Sequence, residues 1–196
     1  MDQGERTRQR ILDRAVDVAS RHGLAGLTIG SLARDLDLSK SGLFAHFGSK
    51  TDLQVQVLEE AIERFRRQVV VPMLRAPRGE PRVRELFERW LAWGAESGMP
   101  GGCVLTAAAI ELDDQPGAPR EVLAVALAEW IDTIKQVARI GVEEGAFRAD
   151  LDAGQFSYDL YAIFLAYHLM HRMIRDPAAE THARRSFEGL LEAAAA

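Results

Sequence analysis

Apolar residues recur three and four positions apart along nearly all of this 196-residue chain, and nowhere do they alternate with polar ones for long. That periodicity suits helices with one buried face and argues against a sheet. Ile11, Leu12, Ala15, Val16 and Ala19 mark a helix from about Glu5 to His22, and Gly23 stops it. Thr28 caps a short helix striped by Ile29, Leu32, Ala33 and Leu36. Asp37 and Leu38 turn the chain, and Ser39 caps a second short helix carrying Leu43 and Phe47, which Gly48 breaks. Ser49 opens a long helix with Leu53, Val57, Leu58, Ala61, Ile62 and Phe65 on one face, which Pro72 is expected to kink or end.

Beyond the linker at 76–81, a helix is expected from Pro81 to about Ser97, a break at 98–102 and a short helix to about Asp113. A long helix follows from Arg120 to Glu144, then one capped by Asp152 and reaching Asp176, and a last one from Ala179 to Ala194. The expected fold is all-α, with about nine helices and no internal repeat. Residues 1–50 form a three-helix head and residues 51–196 a larger helical body.

The net charge is −5, which alone speaks against nucleic acid. Its distribution speaks otherwise, since residues 1–50 hold 8 Lys and Arg against 6 Asp and Glu, and the acidic excess lies in the rest. The single cysteine, Cys103, suits a reducing compartment and a buried structural thiol. No apolar stretch is long and clean enough to span a bilayer, and the opening Met-Asp-Gln-Gly-Glu-Arg is unlike a signal peptide. A cytoplasmic chain with no membrane partner is the expectation.

The segment 27–50 reads as a helix-turn-helix. Ala33 is small where two helices must approach, and Leu38 fills the angle between them. Ser39 caps a helix whose first turn, Lys40, Ser41 and Gly42, offers donors to base edges and lets backbone come close to DNA. Thr28, at the start of the preceding helix, suits a phosphate, as do His46 and Lys50 farther along. The same two-helix pattern also occurs in proteins that never touch DNA; the full spacing through His46, Phe47 and Lys50 favours DNA.

This stretch resembles the tetracycline-repressor-type (TetR) family of bacterial transcription regulators over about residues 5–60. The resemblance rests on Ile11, Leu12 and Ala15, on the entry from Gly23 to Thr28, on Ile29 and Ala33, and on the ending Leu43-Phe44-x-His46-Phe47-x-Ser49-Lys50-x-x-Leu53. Gly102-Cys103-Val104-Leu105, Ala108, Ala109, Glu111 and Asp113-Asp114-x-Pro116-Gly117 look like one branch of it. Two positions depart from the pattern. Asp37 replaces the usual turn glycine, which Asp tolerates because it enters the left-handed region more readily than most residues. Phe44 replaces the usual tyrosine, leaving van der Waals contact with DNA but no hydroxyl for a phosphate.

The resemblance implies a ligand-responsive regulator, a repressor in the first reading, that binds a palindromic double-stranded operator as a homodimer. A small head favours two-fold reading of paired half-sites. The last two helices are the candidate dimer surface, through Phe156, Leu160, Ile163, Tyr167, Phe187, Leu190 and Leu191. The resemblance also implies a cavity for a small apolar or aromatic ligand, with Phe65, Trp90, Trp93, Cys103, Trp130, Tyr161, Phe164 and His168 as candidate walls; Met73 is of the same type. The same residues equally suit a tightly filled core. His168, His171 and His182 have a spacing that would allow a metal, though hydrogen bonding explains them as well. No nucleophile–base pair, paired acidic motif or phosphate loop suggests an enzyme, and nothing calls for a cofactor. The competing reading is a DNA-bound structural or adaptor protein without a small-molecule ligand.

Overall fold

The computed structural model describes residues 3–96 and 98–196. These are helical in the order α1 Gln3–His22, α2 Ile29–Asp35, α3 Lys40–Phe47, α4 Lys50–Phe65, α5 Val71–Arg75, α6 Glu80–Glu96, α7 Val104–Glu111, α8 Ala118–Glu143, α9 Ala153–Leu169 and α10 Ala179–Ala194. The helical backbone does not stop between α4 and α5 but passes through a π-helical turn, Arg66–Val70. Taken as one interrupted helix, that segment brings the total to nine among the described residues. Ser97, where the sequence places the end of α6, lies outside them. No helix among the described residues is long and apolar enough to cross a membrane.

The chain divides into two compact units, one of residues 1–65 and 96–126, the other of 66–95 and 127–196. The core of the first is built from the stripes legible in the sequence. Ile11, Ala15, Val16 and Ala19 of α1 are fully buried, as are Leu32 of α2, Leu43 of α3 and Leu53, Val57, Leu58 and Ala61 of α4. Arg14 reaches Asp35 at 2.6 Å across α1 and α2, and Arg64 of α4 pairs with both Asp13 and Glu60.

The second unit packs α6, the later part of α8, α9 and α10 around Leu86, Phe87, Trp93, Ile134, Leu160 and Phe187. The α6–α10 pairing has a local two-fold character. Residues 80–88 and 180–188 both follow the pattern Glu-x-x-x-Arg-x-x-Phe-Glu. Arg84 makes a bidentate pair with Glu188, and Arg184 makes one with Glu88. Each arginine also holds the glutamate one turn behind it. Between the two crossed pairs, the rings of Phe87 and Phe187 stack at 3.9 Å.

Two helix ends differ from the sequence reading. Pro72 neither ends its helix nor stands alone as a kink, because it sits in the first turn of α5, directly after the π-helical turn. A proline removes one backbone donor and crowds the carbonyl one turn back, and a widened turn relieves both. The α9 helix also stops short of Asp176. It passes at Leu169 into a second π-helical turn, Met170–Ile174, and Arg175 ends it with φ +58°. The amide of Asp176 then donates to the Met170 carbonyl at 3.0 Å, while the Asp176 carboxylate receives the Ala178 amide ahead of α10.

Candidate nucleic-acid interface

The α2–α3 segment is set by local chemistry at both of its starts. Thr28 is extended (φ −132°, ψ 142°), and its Oγ1 accepts from the Ser31 amide at 3.0 Å, capping α2. The turn that follows places Asp37 in the left-handed region at φ +54°. The Leu38 amide then closes back on the Ala33 carbonyl at 2.8 Å. Ser39 is extended, and its Oγ accepts from the Gly42 amide at 3.0 Å, so the first turn of α3 is capped. Gly48, at φ +75°, ends α3 with its amide on the Phe44 carbonyl.

This geometry turns one face of α3 inward and leaves the other in solvent. Leu43 and Phe47 are buried, whereas Ser39, Lys40, Ser41, Gly42 and Phe44 are exposed and His46 is half-buried beside the Phe47 ring. Neither α2 nor α3 carries an acidic residue in its first turn, which suits an anion at these helix starts, and Asp37 stands two residues before the Ser39 cap. Lys40 crosses α2 at Gly30, where an added Cβ would lie 3.4 Å from the lysine Cε. Lys50 has a different neighbourhood: its ammonium donates to the Ala25 carbonyl at 3.0 Å, in the loop between α1 and α2.

Three residues that the sequence did not single out for a site hold that same unit together. Gln54 donates to the Leu24 carbonyl at 3.0 Å. Glu111, at the end of α7, accepts from the amides of Leu24 and Ala25 at 2.8 and 2.5 Å. Gly101 lies so close to α1 that an added Cβ would fall 1.7 Å from the Ser20 carbonyl oxygen, and its amide donates to Ser20 Oγ at 3.0 Å. Contacts that join residues some 80 positions apart leave no periodic trace in a sequence.

In the second unit, Trp90 gathers the candidate ligand residues. It stacks on Phe164 at 4.0 Å, meets Trp130 edge-on at 5.2 Å and lies 5.5 Å from Tyr161. His168 adjoins Phe164, and its Nδ1 is buried without a hydrogen-bond partner. Burial pushes the His168 pKa below the usual imidazole value, and Arg172 and His171 add to the shift, so the ring is held neutral. Trp93 is buried in the same unit, while Phe65 and Cys103 are buried in the first. His171 stacks on Tyr167, and His182 Nδ1 lies 4.0 Å from Asp176.

Of the candidate dimer residues, Phe156, Leu160, Tyr167, Phe187 and Leu191 lie in the core of their own unit, and Ile163 and Leu190 are half-buried. The opposite face of α9 and the turn after it expose Tyr158, Leu165, Leu169, Met170, Met173 and Ile174. An open groove of about 380 Å³ runs between α9 and α10, past Ile163, Ala166, Met170, His182 and Ser186.

A capped, outward-facing second helix after a tight turn is a helix-turn-helix, and comparison with known proteins gives the family. Residues 11–57 match the family described as bacterial regulatory proteins, tetR family, and residues 79–187 match the tetracyclin repressor-like C-terminal domain. The chain belongs to the TetR family of transcriptional regulators, which are DNA-binding proteins and not enzymes. It is 25% identical over 158 residues to the HTH-type transcriptional repressor DhaR of Mycobacterium sp. (strain GP1), covering 81% of this chain and 76% of that one. A TetR transcriptional regulator from Chloroflexus aurantiacus J-10-FL has the same fold, with a TM-score of 0.87 at 24% identity over 98% of this chain and 96% of that one. A transcriptional regulator from Saccharomonospora viridis, solved in complex with choline, superposes with a TM-score of 0.82 at 23% identity, covering 96% of each.

Proposed function

We propose that this regulator is a repressor that binds a palindromic operator as a homodimer and lets go when a small apolar or aromatic molecule enters its body. The observation that carries the reading is the exposed, Ser39-capped first turn of α3. Ser39, Lys40, Ser41 and Gly42 present donors and bare backbone on one side of a helix whose other side is anchored by Leu43 and Phe47. In this reading those four face base edges, Thr28, His46 and Lys50 face phosphates, and Phe44 packs against the DNA backbone. Lys50 has donors to spare beyond the one given to Ala25. Residues 1–50 act as the reading head and 51–196 as the sensing and dimerising body.

Dimerisation uses the α9–α10 side of the body. The exposed Leu165, Leu169 and Met173 supply apolar contact, Ile163 and Leu190 lie at its edge, and the buried Phe156, Leu160, Tyr167, Phe187 and Leu191 back it from beneath. The ligand site is the surroundings of Trp90, Trp130, Tyr161, Phe164 and His168, with Trp93 as a further candidate wall; ligand binding misaligns the paired heads. Four aromatic rings also suit a quaternary ammonium, the class of ligand in the S. viridis relative. A gel shift of the purified protein on its own upstream DNA, with a panel of apolar, aromatic and quaternary-ammonium compounds, tests the whole reading. Specific retardation, relieved by at least one class, is expected. Operator binding that no compound relieves favours the adaptor reading instead.

A further inference from the structure

The loop between α1 and α2 is gripped on both of its backbone edges by side chains from elsewhere in its unit. On one edge, the Glu111 carboxylate receives the two consecutive amides of Leu24 and Ala25. On the other, Gln54 and Lys50 of α4 donate to the carbonyls of the same two residues. Gly23 makes the approach possible: it is left-handed at φ +72°, and an added Cβ would come within 2.6 Å of Glu111 Oε2. Leu24 and Leu27 are fully buried beside it, and Thr28 caps α2 one residue later. The direction in which α2 leaves this loop therefore fixes where α3 points.

We infer that Glu111 is a positioning residue for DNA reading: its carboxylate, lying 86 residues from the Ala25 amide it binds, sets the angle of the α2–α3 pair while touching no DNA itself. Two charge-assisted hydrogen bonds from one carboxylate define both position and rotation of a short peptide, which one neutral bond does not. Sequence-specific contacts at base edges depend on that angle. Attraction to phosphates does not, because it acts through charge at longer range.

The test rests on the operator reading above and uses the full chain with Glu111→Gln, a substitution of nearly equal shape that offers one acceptor in place of two. Affinity is measured by fluorescence anisotropy for the upstream operator duplex and for a scrambled duplex of equal length, with melting temperature and amide exchange alongside. For E111Q, operator affinity falls about tenfold, scrambled-duplex affinity and its salt dependence stay at the wild-type level, and the Leu24 and Ala25 amides exchange faster. An unchanged ratio of operator to scrambled affinity in E111Q overturns the role, whether both affinities hold or both fall together. A wild type that shows no preference for the operator overturns the operator reading itself; a wild type that prefers it, with an E111Q that keeps the preference, overturns only the role of Glu111.

Discussion

Replacing Ser39 by alanine removes the one side-chain acceptor that caps α3, the 3.0 Å bond from the Gly42 amide. The site is exposed, so water replaces part of the bond and the cost is about 1 kcal/mol. In a chain of this size that lowers the melting temperature by roughly 2–4 °C. α3 has only 8 residues, and so short a helix has little stability apart from its caps and its packing through Leu43 and Phe47. Fraying of its first turn is then drawn from the same ~1 kcal/mol, which reduces operator affinity about fivefold before any lost contact to DNA is counted. Ser39→Asp separates the two effects. Aspartate caps as well as serine does, so melting returns to the wild-type value, but its negative charge is repelled by the polyanionic DNA and operator affinity stays low. Differential scanning fluorimetry and anisotropy titration read the two quantities. A Ser39→Ala variant that changes neither quantity, or a Ser39→Asp variant that binds the operator as tightly as wild type, contradicts this role for Ser39.

Lys40→Ala should lower operator affinity by about tenfold while leaving the far-UV circular dichroism unchanged, since its side chain is exposed and lies across Gly30. Gly101→Ala should destabilise the chain by about 3 kcal/mol or more, because the new methyl meets backbone at 1.7 Å and not a yielding side chain; a melt within 2 °C of wild type contradicts this. His168 has a lowered pKa in the folded chain, so its contribution to stability is complete above about pH 6.5 and is lost as pH falls through the folded value. His168→Phe should therefore flatten the fall in melting temperature below that pH. Arg184→Ala should cost within about 1 kcal/mol and less in high salt, because its pairs with Glu88 and Glu180 are half-exposed; chemical denaturation at two salt concentrations checks it.

What the sequence made legible was local. Thr28, Ser39, Ser49 and Asp152 each cap the helix that follows, because a side-chain oxygen and an amide two or three residues on need nothing else to find each other. The left-handed Asp37 was visible for the same reason. Periodicity chose the buried faces of α1 and α4, with Ile62 alone of the expected stripe left half-buried. It did less for α9, whose apolar residues surround the helix: spacing alone does not say that Phe156 and Leu160 turn inward while Tyr158 and Leu165 turn out. The π-helical turns at 66–70 and 170–174 depend on a backbone choice that no residue type announces. The repeated Glu-x-x-x-Arg-x-x-Phe-Glu was present in the letters, yet it acquires meaning only when α6 and α10 run antiparallel and the two copies cross. The grip of Glu111 and the close approach of Gly101 lay beyond sequence reasoning for a related cause, since both are fixed by where the chain returns.

If the exposed first turn of α3 reads DNA, the dimer reads a paired site. Hydroxyl-radical footprinting of the purified protein on its upstream DNA tests it most directly. Two protected half-sites related by two-fold symmetry are expected, their centres about one helical turn, roughly 10 base pairs, or a multiple of it apart, with Lys40→Ala needing about tenfold more protein for the same protection. Protection that is uniform along the duplex, or that Lys40→Ala gives at the same protein concentration as wild type, contradicts it.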